Sequence, residues 1–306
     1  MTDYTITVLD ISNQGLTELP IDIHLYTNLN VFICSGNALT SLDRLSEVQT
    51  LIFLNCQNNM ITSLDNLPYG LKYLECRNNQ LTSLDNLPAT LIDINCSFNL
   101  LTSLDHLPIE INQLILEENQ LTSLDHLPQK ITYLICGGNQ LTSLDHLPPK
   151  ITYLICCGNQ LTSLDHLPNK LIVLFCVNNQ LTSIKNIPPG LKWLDCTNNR
   201  LTILDKVPPT ITKMYCSNNV LSAIYFIDDP CFLLENPRFF NCENNLFSYD
   251  FEPTIENIAK GSYKMYYRKV RPPMYKEELI QKVFHPTRVW NYLDQFNYNI
   301  LTEEVF

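Results

Sequence analysis

Glycine is scarce in this chain, with eight residues in 306. So few leave little room for the glycine-rich loops that cradle phosphate groups, and no zinc-ligand cluster or nucleophile elbow is present. The sequence therefore points to no enzyme, cofactor or metal. Charge is also sparse, at 17% of residues, and no apolar run is long enough to cross a bilayer. The opening Met1-Thr-Asp-Tyr-Thr-Ile-Thr-Val lacks the basic and apolar regions of an export signal. The expectation is an intracellular protein with reduced thiols. Basic residues are outnumbered over 1–247, with 12 Lys and Arg against 23 Asp and Glu, whereas 248–306 holds eight of each. The acidic balance of −11 argues against a nucleic-acid groove on the first part.

What the chain does have is periodicity, together with a hydrophobic content of 45% that is ample for a continuous core. Asparagine recurs every 20 residues at Asn59, Asn79, Asn99, Asn119, Asn139, Asn159, Asn179, Asn199 and Asn219. Longer spacings add Gln14 and Asn37 before this series and Asn245 after it, which makes twelve repeats. Each unit follows L-x-x-L-x-C-x-x-N-x-L, as in Leu71, Leu74, Cys76, Asn79 and Leu81. Leu74 and Cys76 alternate with Tyr73, Glu75 and Arg77, the period of a short strand with one buried face. Stacked in parallel, twelve such strands would extend roughly 50 Å.

The asparagine amide can both donate and accept, so it suits backbone groups left unpaired where the chain turns off the strand. Cys34, Cys56, Cys76, Cys96, Cys136, Cys156, Cys176, Cys196, Cys216 and Cys242 share one repeat position, which Leu116 takes in a unit that lacks the cysteine. Exchange of thiol for leucine is what core packing predicts. The other half of the unit, such as Leu121-Thr-Ser-Leu-Asp-His-Leu-Pro128, disfavours a helix. An extended or polyproline-like convex side with a tight turn near Asp125 is expected.

This pattern resembles the leucine-rich-repeat consensus and covers residues 1–247, about four fifths of the chain. The resemblance implies a solenoid with short parallel β-strands on its concave face. Residues 248–306 leave the pattern and read as a small, mainly helical C-terminal cap, with helices through Lys276–Phe284 and Arg288–Asp294 separated at His285-Pro286. The short unit with Leu-Pro before the next strand, as in Leu67-Pro-Tyr-Gly-Leu-Lys-Tyr-Leu74, is similar to repeats of bacterial type III secreted effectors. Some of those carry a ubiquitin-ligase domain, but its nucleophilic cysteine has no counterpart after Cys242. The Cys-x-x-Asn core with Phe284-His-Pro-Thr-Arg-Val289 in the tail resembles leucine-rich-repeat proteins of giant amoeba-infecting DNA viruses. That resemblance implies a protein acting on components of host cytoplasm or carried in virions, where a structural role is the alternative.

The repeats disagree only at outward strand positions. Early units are mostly polar there, with Glu75, Arg77 and Asp93; later ones carry Tyr133, Ile135, Tyr153, Ile155, Cys157, Val173, Phe175, Val177, Trp193 and Tyr215. Such an apolar, aromatic area suits a protein partner, with Tyr153, Phe175, Trp193 and Tyr215 as anchors and Glu75, Arg77 and Asp93 tuning choice. Against this, β-forming residues simply suit strands, and the cap could fold over part of the face. His106, His126, His146 and His166 each follow an aspartate, but Asn66, Asn86, Asn186 and Lys206 hold the same place elsewhere. A polar turn position explains them better than a metal strip does. The basic-aromatic stretch Tyr263–Arg271 could touch RNA or an acidic membrane surface, or serve as a linker to the cap.

Overall fold

In a computed structural model of the chain, residues 3–226, 240–246 and 263–264 are described. Two compact units are present, Met1–Tyr266 and Tyr267–Phe306, and the described residues all lie in the first. The tail helices expected at Lys276–Phe284 and Arg288–Asp294 lie outside the described residues. No helix among the described residues is long and apolar enough to cross a membrane.

The architecture is a parallel-strand solenoid. Its strands are β1 (Val8–Asp10), β2 (Val31–Ile33), β3 (Phe53–Asn55), β4 (Tyr73–Glu75), β5 (Asp93–Asn95), β6 (Gln113–Ile115), β7 (Tyr133–Ile135) and β8 (Tyr153–Ile155). The series continues with β9 (Val173–Phe175), β10 (Trp193–Asp195), β11 (Ile203–Val207), β12 (Lys213–Tyr215), β13 (Ala223–Phe226), β14 (Phe240–Asn241) and β15 (Tyr263–Lys264). Twelve of them, β1 to β10 with β12 and β14, form one parallel sheet in chain order. Register from β3 to β12 advances by one whole repeat, so residues 20 apart stand side by side: Tyr133 beside Tyr153, Phe175 beside Asp195, Asp195 beside Tyr215.

The middle residue is buried in β2 to β10 and in β12, and so is the cysteine, or Leu116, two places further on, as with Leu74 and Cys76 or Leu174 and Cys176. Several thiols donate weakly to the next strand, Cys76 Sγ to the Asn95 carbonyl at 3.3 Å and Cys176 Sγ to that of Asp195 at 3.4 Å. Burial raises the pKa of these thiols well above that of a free cysteine, so they rest as neutral packing groups.

The asparagine column closes each turn. Asn139 Nδ2 donates to the carbonyls of Leu116 at 3.0 Å, Cys136 at 3.2 Å and Gly137 at 3.1 Å, and its Oδ1 accepts the Leu121 N–H at 3.0 Å. One side chain thus ties its own turn to the preceding one and satisfies buried backbone on both. The residue before it turns in the left-handed region, which asparagine and glycine tolerate best: Asn178, Asn198 and Gly158 have φ of 56°, 56° and 64°.

The opposite side of the coil is less uniform than the sequence suggests. A tight turn does fall at Asp125–His126, with His126 at φ 65°. At the N-terminal end, however, spacings longer than 20 residues accommodate 3-10 turns at Ile23–Leu25 and Asp43–Glu47. Toward the C-terminal end the segment becomes sheet. A bridge joins Ser163 to Ser183, then β11 pairs with β13 in parallel and β13 with β15 antiparallel. The cause is in the sequence: Ser-Leu-Asp-His-Leu gives way to Ile203-Leu-Asp-Lys-Val207 and Ala223-Ile-Tyr-Phe226, rich in strand-forming residues. Part of the basic-aromatic stretch, Tyr263–Lys264, is therefore a strand at the edge of this second sheet.

Candidate functional site

Because β2 to β10 and β12 bury their middle residue, their first and third residues form two rows across the outer face of the long sheet. The first row runs Tyr73, Asp93, Gln113, Tyr133, Tyr153, Val173, Trp193, Lys213. The second runs Glu75, Asn95, Ile115, Ile135, Ile155, Phe175, Asp195, Tyr215 over the same strands. Residues just after the buried cysteine position, among them Arg77, Glu117, Cys157 and Val177, extend the face by a third row.

The aromatic side chains form a connected strip. Tyr133 and Tyr153 stack with ring centroids 4.5 Å apart and planes 13° apart. Val173 leaves a gap in the first row, and Phe175 reaches into it from the second, 6.3 Å from Tyr153 and 4.6 Å from Trp193 in edge-to-face contacts. Lys213 Nζ lies 4.3 Å from the Trp193 ring centroid. Tyr133 and Tyr153 thus turn a face to each other, whereas Phe175 meets both of its neighbours edge to face. Each such pair adds about 0.5–1.5 kcal/mol beyond burial, so the strip is held in place before anything binds. Tyr215 lies beyond it in the second row, next to Asp195.

Most of the expected site residues fall on this one face. Tyr133, Tyr153, Phe175, Trp193 and Tyr215 are half-buried there, while Glu75, Arg77 and Asp93 occupy the polar N-terminal part. Ile135 and Ile155 are different. They point off the core yet are only 4% and 3% exposed, so they floor the strip rather than offer contact area. Three participants escaped the sequence reading: Asp195, Lys213 and Phe98. Asp195 and Lys213 were signalled by standing 20 residues from Phe175 and Trp193. Phe98 lies on the turn after β5, where strand alternation gives no guide, and carries the Arg77 guanidinium 4.7 Å from its ring centroid.

The electrostatics of the face are those of burial. Desolvation raises the pKa of Glu75, Asp93 and Asp195 above the ordinary carboxylate range, against smaller opposing hydrogen bonds such as Thr197 N–H to Asp195 Oδ1 at 3.1 Å. The Tyr153 phenol is pushed up to about 12 and that of Tyr133 higher still, again chiefly by burial. Cys157 is the described cysteine that is not fully buried; burial among neighbours nevertheless raises its thiol to about 12, which keeps it protonated at neutral pH. Among the described residues no group of three or more His, Cys, Asp or Glu is placed to hold a metal ion. One Asp93 carboxylate oxygen and the Trp193 indole nitrogen are buried without a hydrogen-bond partner.

A repeated strand, a thiol or leucine column, an asparagine column and a connecting segment that closes a 20-residue coil define a leucine-rich-repeat solenoid. Solved structures of that class share its architecture. YopM from Yersinia pestis, a leucine-rich effector protein, is 26% identical with a TM-score of 0.66 over 81% of this chain and 74% of that one. YopM from Yersinia enterocolitica is 25% identical with a TM-score of 0.58, and this match spans 78% of the present chain but only 65% of the length of that protein. The internalin InlF from Listeria monocytogenes, at 19% identity and a TM-score of 0.63 over 80% of this chain and 75% of that one, shows a shared fold. No protein-family model and no curated protein matches the sequence.

Proposed function

We propose that the protein is a non-enzymatic recognition scaffold whose strand face, the concave side of the coil, seats a protein partner on the strip from Tyr133 to Tyr215. The observation that supports it is the strip itself: four aromatic rings packed in sequence along an outward face. Large apolar areas on soluble proteins mark contact sites. A sugar or base needs an open aromatic face, and the faces that Tyr133 and Tyr153 turn to each other are closed. The tail's likeness to giant-virus proteins would put that partner among host-cell proteins.

Replacing Phe175 and Trp193 together by alanine should abolish capture of a protein partner from host-cell lysate, at least tenfold by quantitative mass spectrometry, while cooperative unfolding persists. Undiminished capture by the folded double variant overturns the assignment.

A further inference from the structure

Over the strands of the long sheet, β1 to β10 with β12 and β14, the three outward rows carry six carboxylates among the described residues, on Asp10, Glu75, Asp93, Glu117, Asp195 and Glu243, against two cations, Arg77 and Lys213. Both cations lie over aromatic rings, Arg77 on Phe98 and Lys213 on Trp193. Among the described residues, none of the ion pairs involves Glu75, Asp93 or Asp195. These three carboxylates are held partly out of water; Arg77 lies close enough to Glu75 to offset part of the cost there, and one oxygen of Asp93 has no hydrogen bond at all. They also bracket the aromatic strip: Glu75 and Asp93 stand before it on β4 and β5, and Asp195 stands at its far end on β10.

We propose that the occupant of this face is a cationic polypeptide segment, one in which lysine or arginine flanks apolar side chains that lie along Tyr133 to Trp193. The proposal rests on the reading of the face as a protein-binding surface and names the chemistry of what binds. Charge complementarity is its warrant: a face that carries more carboxylates than cations attracts a basic segment and repels an acidic one. Five strand steps separate Asp93 from Asp195, a span of about 24 Å at the usual strand spacing. An extended segment covers that distance in about seven residues. The apolar residues between its two cations then lie over the rings.

The test uses the full chain and fluorescein-labelled synthetic peptides, with binding read by fluorescence anisotropy at moderate salt. One peptide is extended, with apolar residues between terminal lysines; a second has glutamate in place of each lysine; a third has serine in place of each apolar residue. The lysine peptide should bind at least tenfold more tightly than either of the others. Its affinity should fall about tenfold with Glu75→Gln, Asp93→Asn and Asp195→Asn combined, and should weaken as salt rises. Equal or tighter binding of the glutamate peptide, or no loss with the triple variant, overturns the cationic assignment. If that peptide still loses binding on Trp193→Ala, the face remains the docking surface; if none of the peptides binds, the cationic assignment fails.

Discussion

The asparagine flank and the strand face belong to the same coils, lie a few residues apart, and obey opposite rules. Along the flank every turn is alike, because every turn leaves the same backbone groups to be satisfied and one amide satisfies them. Along the face nothing in the fold dictates the side chain, since the strand needs only its middle residue buried. Uniformity therefore marks what holds the solenoid together, and variation marks where it is free to acquire a partner. The two regions should respond oppositely to substitution: the flank in stability, the face in binding.

The largest effect is expected at the flank. Asn139→Ala removes three donated hydrogen bonds and one accepted bond. The Leu121 N–H is left without its partner, whereas the carbonyls of Leu116, Cys136 and Gly137 each keep one bond, from Asn119 Nδ2, Asn159 Nδ2 and the Glu118 N–H. At about 1–3 kcal/mol for the unsatisfied N–H and about 0.5–1.5 kcal/mol for each donated bond lost, less what water entering the notch restores, the loss should be about 3 kcal/mol. Urea unfolding would measure it. Because a solenoid couples each coil mainly to its neighbours, the same change should leave the rings on β8 to β10 in place. A loss below about 1 kcal/mol would mean that the column is not what closes the turns.

That contrast also sets what could be read without coordinates. The asparagine period fixes the strand register, because residues one repeat apart become neighbours, and the rows of the face follow by counting. Gln14 could be recognised as the first member of the column because its spacing to Asn37 still places Leu16 to donate to the Asn37 side chain, at 3.0 Å. Ring geometry could not be read in this way. Whether Phe175 fills the gap left by Val173, and whether Ile135 and Ile155 are covered, depends on side-chain volumes across three strands at once. The second sheet was half legible: strand-forming residues replace the turn sequence at Ile203 and Ala223, but the partner strand β15 comes from outside the repeats, where no period exists.

A middle-sized effect should appear where the face itself costs stability. Burial holds the Asp195 carboxyl above the usual range. Between the ordinary carboxylate pKa and this raised one, the folded protein holds more protons than the unfolded chain, so stability falls as pH rises through that window. At neutral pH the ionised group opposes folding. Asp195→Asn keeps the acceptor for the Thr197 N–H and removes the charge, so it should raise stability by about 0.5–1 kcal/mol at pH 7. The gain should vanish near about pH 3, where the aspartate is protonated in both states. A loss of stability at pH 7 would show instead that Asp195 has a structural role like that of the flank.

The smallest effect is expected on the strip of histidines, which repeats as regularly as the flank but satisfies no buried group. His106, His146 and His166 lie 3.4, 3.3 and 3.2 Å from Asp85, Asp125 and Asp145 of the preceding turn, with side chains 82%, 79% and 71% exposed. Asn86 meets Asp65 in the same way at 2.9 Å, so the place accepts another polar partner. The carboxyls of Asp125 and Asp145 are held below the usual range first by the hydroxyls of Ser123 and Ser143, and only then by histidine. Whatever they contribute is present above the ordinary carboxylate pKa and is lost only as pH falls below it, well under the range in which imidazole titrates. Replacing all four histidines by asparagine, the residue at positions 66 and 86, should therefore leave the melting temperature unchanged at pH 5 and at pH 7.5 alike. Calorimetry should likewise register no zinc binding at neutral pH. A melting shift between those two pH values that the fourfold variant loses would turn the strip from solvated turns into a pH-sensing edge.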